Sequence, residues 1–175
     1  RDRSSNDGLR SFDSDGFTSG LDDNTGGRPG VTYVAWCWKA GGAAVENTDG
    51  SITSQVSANQ DAGFSIIKWT SDGAASVKTV GHGLGKTPSF VIVRRINNIG
   101  DWYVYHKKIS TPTTKYLRIN GTDAEINPSL NPLYSVDSNT FGIYQARICT
   151  NGDTAIAYCW AEIEGFSKFG SYVGN

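Results

Sequence analysis

Two stretches of this chain are near-copies of one another, and both alternate large with small side chains. Residues 31–40 read Val-Thr-Tyr-Val-Ala-Trp-Cys-Trp-Lys-Ala, and residues 153–162 read Asp-Thr-Ala-Ile-Ala-Tyr-Cys-Trp-Ala-Glu. Thr32, Ala35, Cys37 and Trp38 match Thr154, Ala157, Cys159 and Trp160, while Trp36 meets Tyr158. A period of two places successive side chains on opposite faces, which is strand geometry and not helix geometry. Upstream, Asp13-Ser14-Asp15-Gly16-Phe17 sits against Asp137-Ser138-Asn139-Thr140-Phe141. A repeat of this kind predicts one complete unit preceded by the tail of another, the build of modular extracellular and virion proteins.

Further strands are expected at 51–59, 64–69, 76–80, 90–95, 102–106, 115–119 and 141–147, each rich in β-branched or aromatic residues and bounded by Gly, Asn, Asp or Pro. No window of 11 or more residues carries a helical stripe. Many short strands separated by turn signals predict an all-β fold, an antiparallel β-sandwich of the jelly-roll, lectin-like kind. Trp36, Trp38, Tyr158 and Trp160 are the expected core or interface aromatics. Residues 1–46 read as the end of a preceding repeat, whose strands pack on this unit or a neighbouring one. Residues 47–63 read as a linker or edge strand, and residues 64–175 as the complete sandwich. The chain has no Met and begins at Arg1, as expected of a processed form or a piece of something longer. No apolar run of about 18 residues is present, so no membrane insertion is expected.

Chemistry-bearing patterns mostly resolve into structural ones. Cys37, Cys149 and Cys159 are odd in number and widely spaced, unlike a disulfide framework or a zinc site. They are expected to be small buried hydrophobes, with a Cys37–Cys159 disulfide as the alternative. Gly81-His82-Gly83-Leu84-Gly85-Lys86-Thr87 imitates a phosphate loop, but position 80 is Val and Pro88 forbids the required helix. It reads as a turn between strands. Two histidines, His82 and His106, cannot make a histidine-rich metal site. Glu162 and Glu164 resemble a glycosidase pair on one strand face, but the third acid of the laminarinase pattern is replaced by Ser167, so they read as solvated glutamates. Asp13-Ser14-Asp15-Gly16 and Asp22-Asp23-Asn24 could offer oxygens to Ca²⁺, yet Asp and Asn serve turns equally well. No catalytic residue, metal ligand or cofactor is assigned.

Charge is uneven. Between Lys86 and Arg118 lie seven basic residues and one acidic, a net +6 in a chain of total charge −1. Aromatic residues are interleaved with them. Aromatic faces stack on sugar rings and cations pair with acidic sugars, so Arg95, Trp102, Tyr105 and His106 form the expected glycan surface. A sequence pI near 6.1 gives no footprint for nucleic acid.

Five stretches together resemble a known repeat family: 63–70 (Gly-Phe-Ser-Ile-Ile-Lys-Trp-Thr), 80–85 (Val-Gly-His-Gly-Leu-Gly), 101–106 (Asp-Trp-Tyr-Val-Tyr-His), 156–160 (Ile-Ala-Tyr-Cys-Trp) and 165–172 (Gly-Phe-Ser-Lys-Phe-Gly-Ser-Tyr). The family occurs in large structural proteins of marine tailed phages, including cyanophages, often beside concanavalin A-like (LamG-type) modules. The resemblance implies a non-enzymatic structural or adhesive module of a virion appendage or surface fibre, in a virion or extracellular location. The alternatives are a carbohydrate-binding lectin-like module and a subunit of an extracellular filament built by strand exchange. Expected partners are other copies of the chain, as a trimer or filament, other virion or fibre proteins, and cell-surface glycans.

Overall fold

The computed structural model describes residues 8–20, 26 and 28–173. The chain divides into two compact units, Arg1–Cys37 and Trp38–Asn175.

In the first unit, β1 (Leu9–Phe12) and β2 (Phe17–Ser19) form an antiparallel hairpin in which Phe12 pairs with Phe17. The Asp13 N–H donates to Gly16 O at 2.9 Å, and its carboxylate accepts the hydroxyls of Ser11 and Thr18. Asp13 therefore serves the turn. Asp22, Asp23 and Asn24, the other half of the calcium expectation, lie outside the described residues. Residues 31–40 form no strand. The strand expected there is corrected: a strand exists only where a neighbour takes up its backbone hydrogen bonds.

The second unit is an all-β antiparallel sandwich. Its large sheet has the order β3-β4-β5-β12-β7-β8-β9, from β3 (Val45–Asn47), β4 (Ser54–Asn59), β5 (Phe64–Thr70), β7 (Phe90–Arg95), β8 (Tyr103–His106), β9 (Leu117–Arg118) and β12 (Thr154–Trp160). Its small sheet has the order β10-β11-β6, from β6 (Val77–Gly81), β10 (Leu133–Val136) and β11 (Thr140–Tyr144), and one helical turn, α1 (Gln145–Ile148), follows β11. Residues 145–147, read from sequence as the end of a strand, are thus helical. Residues 47–63 are not a linker: β4 lies inside the large sheet, paired on both sides, and the edge strand is β3. No helix among the described residues is long and apolar enough to cross a membrane.

The core lies between the sheets. Val56, Ile67, Trp69, Val91 and Val93 of the large sheet meet Val80, Leu133, Phe141 and Ile143 of the small one. Trp69 packs edge-on against Phe141 at 6.0 Å. Strand β12 sits at the centre, in register with β5 on one side and β7 on the other. Its small residues, Ala155, Ala157 and Cys159, face this core. Its large residues, Ile156, Tyr158 and Trp160, therefore lie on the outer face. The bulk that fills the inner space comes from the neighbouring strands.

The glycine-rich turn between β6 and β7 is a packing device. A Cβ on Gly81 would lie 1.7 Å from Asn47 Oδ1. Gly83 and Gly85 have φ of +69° and +65°, a conformation that L side chains avoid. His82 is fully buried: Leu84 N–H donates to Nδ1, so Nε2 carries the proton toward Asp137 O at 3.2 Å. Burial holds its pKa below the ordinary histidine value. Cys149 and Cys159 are buried and free, and Cys37 is exposed and free, so Cys37 is not the buried hydrophobe expected from its repeat position. Burial pushes the Cys149 thiol up to about 12.

Candidate functional site: the outer face of the large sheet

The strand registers order the outer face into three rows across the sheet. The first contains Asn59, Phe64, Trp160, Phe90 and His106. The second contains Ser57, Ile66, Tyr158, Ile92, Val104 and Leu117. The third contains Glu46, Gln55, Lys68, Ile156 and Arg94, and the alternation of β8 continues it to Trp102.

The first row is roofed. Trp38 packs edge-on over Trp160 at 5.3 Å and beside Phe64 at 6.1 Å. Phe169 stacks on Phe90 at 5.9 Å and meets the His106 ring. Glu162 holds this roof in place, accepting the Phe169 N–H at 2.8 Å and pairing with Lys107. The Lys107 ammonium, with the Phe169 N–H, keeps the Glu162 carboxyl below the usual glutamate range. Strand β12 ends at Trp160, so Glu162 and Glu164 do not lie on a strand face as the sequence suggested. His106 accepts the Lys108 N–H at Nδ1, and burial lowers its pKa.

The third row is open. The Arg94 guanidinium lies over the Trp102 ring at 4.6 Å from its centroid, a cation–π pair on a half-buried surface. Its charge also reaches Tyr158, whose phenol is raised by burial and drawn back by Arg94. Lys68 stands two strands away in the same row and is exposed. Trp102, Arg94, Tyr158 and Lys68 thus combine two aromatic surfaces with two cations.

Of the four residues expected to form a glycan surface, the fold brings none into this constellation except Trp102. His106 is in the roofed row. Tyr105 packs against the inner core. Arg95 points to the opposite face from Arg94: its Nε donates to Ile99 O at 2.7 Å, and its guanidinium pairs with Asp153 at 3.4 Å. The expected set is corrected in that respect, and Arg94, Lys68 and Tyr158 were missed. A signal for Arg94 was present, since its alternation parity matches Ile92 and not Val93. The local +6 is also offset through space. Lys107 pairs with Glu162, Lys115 with Glu125, Arg118 with Asp101 and Asp123, and Arg95 with Asp153. Among the described residues, no group of three or more His, Cys, Asp or Glu is placed to hold a metal ion.

A family model described as a domain of unknown function (DUF7483) matches residues 1–175. Neither a curated protein nor a solved structure matches the chain.

Proposed function

From the premise that this chain belongs to the DUF7483 family, whose description assigns no activity, we propose that it is a non-enzymatic adhesive module of a virion appendage or other extracellular fibre. The module contacts glycans through the open row of the outer sheet face. The observation that carries this reading is Arg94 over Trp102, on the sheet face that also carries Tyr158, Ile92, Val104 and Leu117. An aromatic ring offers a flat apolar surface to the C–H face of a sugar, and an adjacent guanidinium offers paired donors to a carboxylate or sulfate. Arg94 is on β7, paired with β12 at Ile156, and the Trp102 N–H donates to Asn120 Oδ1 at 3.0 Å, so both backbones are held before any ligand arrives, which lowers the entropic cost of binding. The combined sequence motifs that resemble phage structural repeats support the fibre context.

A glycan array probed with the full chain tests the proposal. Binding to acidic glycans is expected, with loss in the Arg94→Ala/Trp102→Ala double variant and retention in Arg95→Ala. Array binding that the double variant leaves unchanged, or no binding by the parent chain, overturns it.

A further inference from the structure

The third row of the outer face carries its charges at a regular interval. Its order across the sheet is Glu46, Gln55, Lys68, Ile156, Arg94 and Trp102, from β3, β4, β5, β12, β7 and the lead into β8. All six belong to the Trp38–Asn175 unit. Neighbouring strands lie about 4.8 Å apart, so Lys68 and Arg94, two strands apart, stand about 10 Å from one another across the sheet. Ile156 alone lies between them in the row. Glu46 stands at the same interval on the far side of Lys68.

These two cations differ from the others of the sheet. The strands of the large sheet carry four lysines and arginines: Lys68, Arg94, Arg95 and Arg118. Arg95 pairs with Asp153, and Arg118 with Asp101 and Asp123. Among the described residues, no ion pair joins Lys68 or Arg94 to a carboxylate. Arg94 is nonetheless held: its guanidinium lies over Trp102, and its Nε donates to Arg95 O at 3.0 Å. That bond leaves the two terminal nitrogens for an acid group, which a guanidinium grips with paired donors.

Two sugars of an extended pyranose chain advance by a similar distance to the one between Lys68 and Arg94. Acid groups on alternate sugars therefore meet the two cations in turn, and the sugar between them rests on Ile156. Once the first acid group is bound, the second contact is intramolecular and costs little further ordering. A third acid group at the same interval meets the like charge of Glu46, so the row takes two.

We infer that this row binds an acidic glycan laid across the strands, with a carboxylate or sulfate on every second sugar, one acid group at Lys68 and the next at Arg94. The inference deepens the glycan reading above and rests on it.

Titration calorimetry on the full chain tests it with three tetrasaccharides. Hyaluronan carries a carboxylate on every second sugar, keratan sulfate carries a sulfate on every second sugar, and chitotetraose is neutral. The chain is expected to bind at least one of the acidic pair, and chitotetraose at least about tenfold more weakly. Lys68→Ala is expected to weaken the acidic binding about fivefold. Gln55→Lys/Lys68→Ala moves the cation one strand farther from Arg94 at unchanged charge, and is expected to bind as weakly as Lys68→Ala. Lys86→Ala removes an exposed cation from the turn after β6, and is expected to bind as the parent does. Failure of both acidic chains to bind overturns the inference together with the glycan reading. Acidic binding that Arg94→Ala/Trp102→Ala abolishes but Lys68→Ala leaves unchanged, or that Gln55→Lys restores, overturns the inference alone. So does an equal loss in Lys86→Ala, or chitotetraose binding as tight as that of the acidic chains.

Discussion

At the scale of single residues, His82 sets a pH dependence. Its ring is buried with both nitrogens engaged, and burial lowers its pKa in the folded chain. In the unfolded chain it takes the ordinary value of about 6.5. Below that pH the unfolded state binds more protons than the folded state, so stability is full above about pH 6.5 and falls as pH drops, by at most about 1.4 kcal/mol per pH unit for one group. His106 shifts in the same direction, so His82→Gln should flatten the dependence without abolishing it. Urea midpoints measured across this range check the claim, and an unchanged slope in His82→Gln would refute it. The tryptophans divide by environment despite their similar sequence contexts. Trp160→Ala should cost about 3–5 kcal/mol, because the ring is buried beneath Trp38 and beside Phe64 and Phe90. Trp36→Ala, at an exposed position, should change stability by less than about 0.5 kcal/mol. Thermal melts of the two variants test this, and equal losses would contradict it. Alternation reveals which residues share a face but not which face is inside. That is why Trp36 and Trp38 read as core or interface aromatics from sequence, although the small residues of β12 are the ones turned inward.

At the scale of elements, the long central strands were legible, because β5, β7 and β12 each run six or seven residues rich in β-branched or aromatic side chains. The strands β3 and β10 were not, being three and four residues long, too short for a period to register. Residues 31–38 carry as strong a strand pattern as β12 and form no strand, because pairing depends on neighbours and not on local preference. The turn after β6 yields a further prediction. Gly81→Ala should destabilise the chain by about 1–3 kcal/mol, since its new methyl collides with the Asn47 side chain. Part of that loss should return in Gly81→Ala/Asn47→Ala, a coupling that a double-mutant cycle measures. Simple additivity of the two substitutions would place the cause elsewhere.

At the scale of the whole molecule, the sandwich class was legible from strand number and turn spacing, whereas the candidate site was legible only in kind. Sequence pointed to aromatics among cations, and Trp102 lies on the proposed surface, but the pairing of strands decides which cation stands beside it. Arg94 shares the outer face with Trp102, while Arg95, one residue on, crosses to the other face and meets Asp153. The charge asymmetry along the chain likewise misled, because Asp153, Glu125, Asp123 and Glu162 return to the basic stretch in space. Ligand binding at Arg94 and Lys68 should still weaken with added salt, since exposed charges are screened over about 8 Å at physiological ionic strength. Affinity for an acidic oligosaccharide measured at low and high salt checks this, and salt-independent binding would contradict a charged site. A backbone NMR titration of the full chain with such an oligosaccharide tests glycan binding at the outer face most directly. Chemical-shift changes are expected centred on Lys68, Arg94, Trp102 and Tyr158. Changes centred on Arg95 and Tyr105, or no changes on the outer face at all, would contradict it.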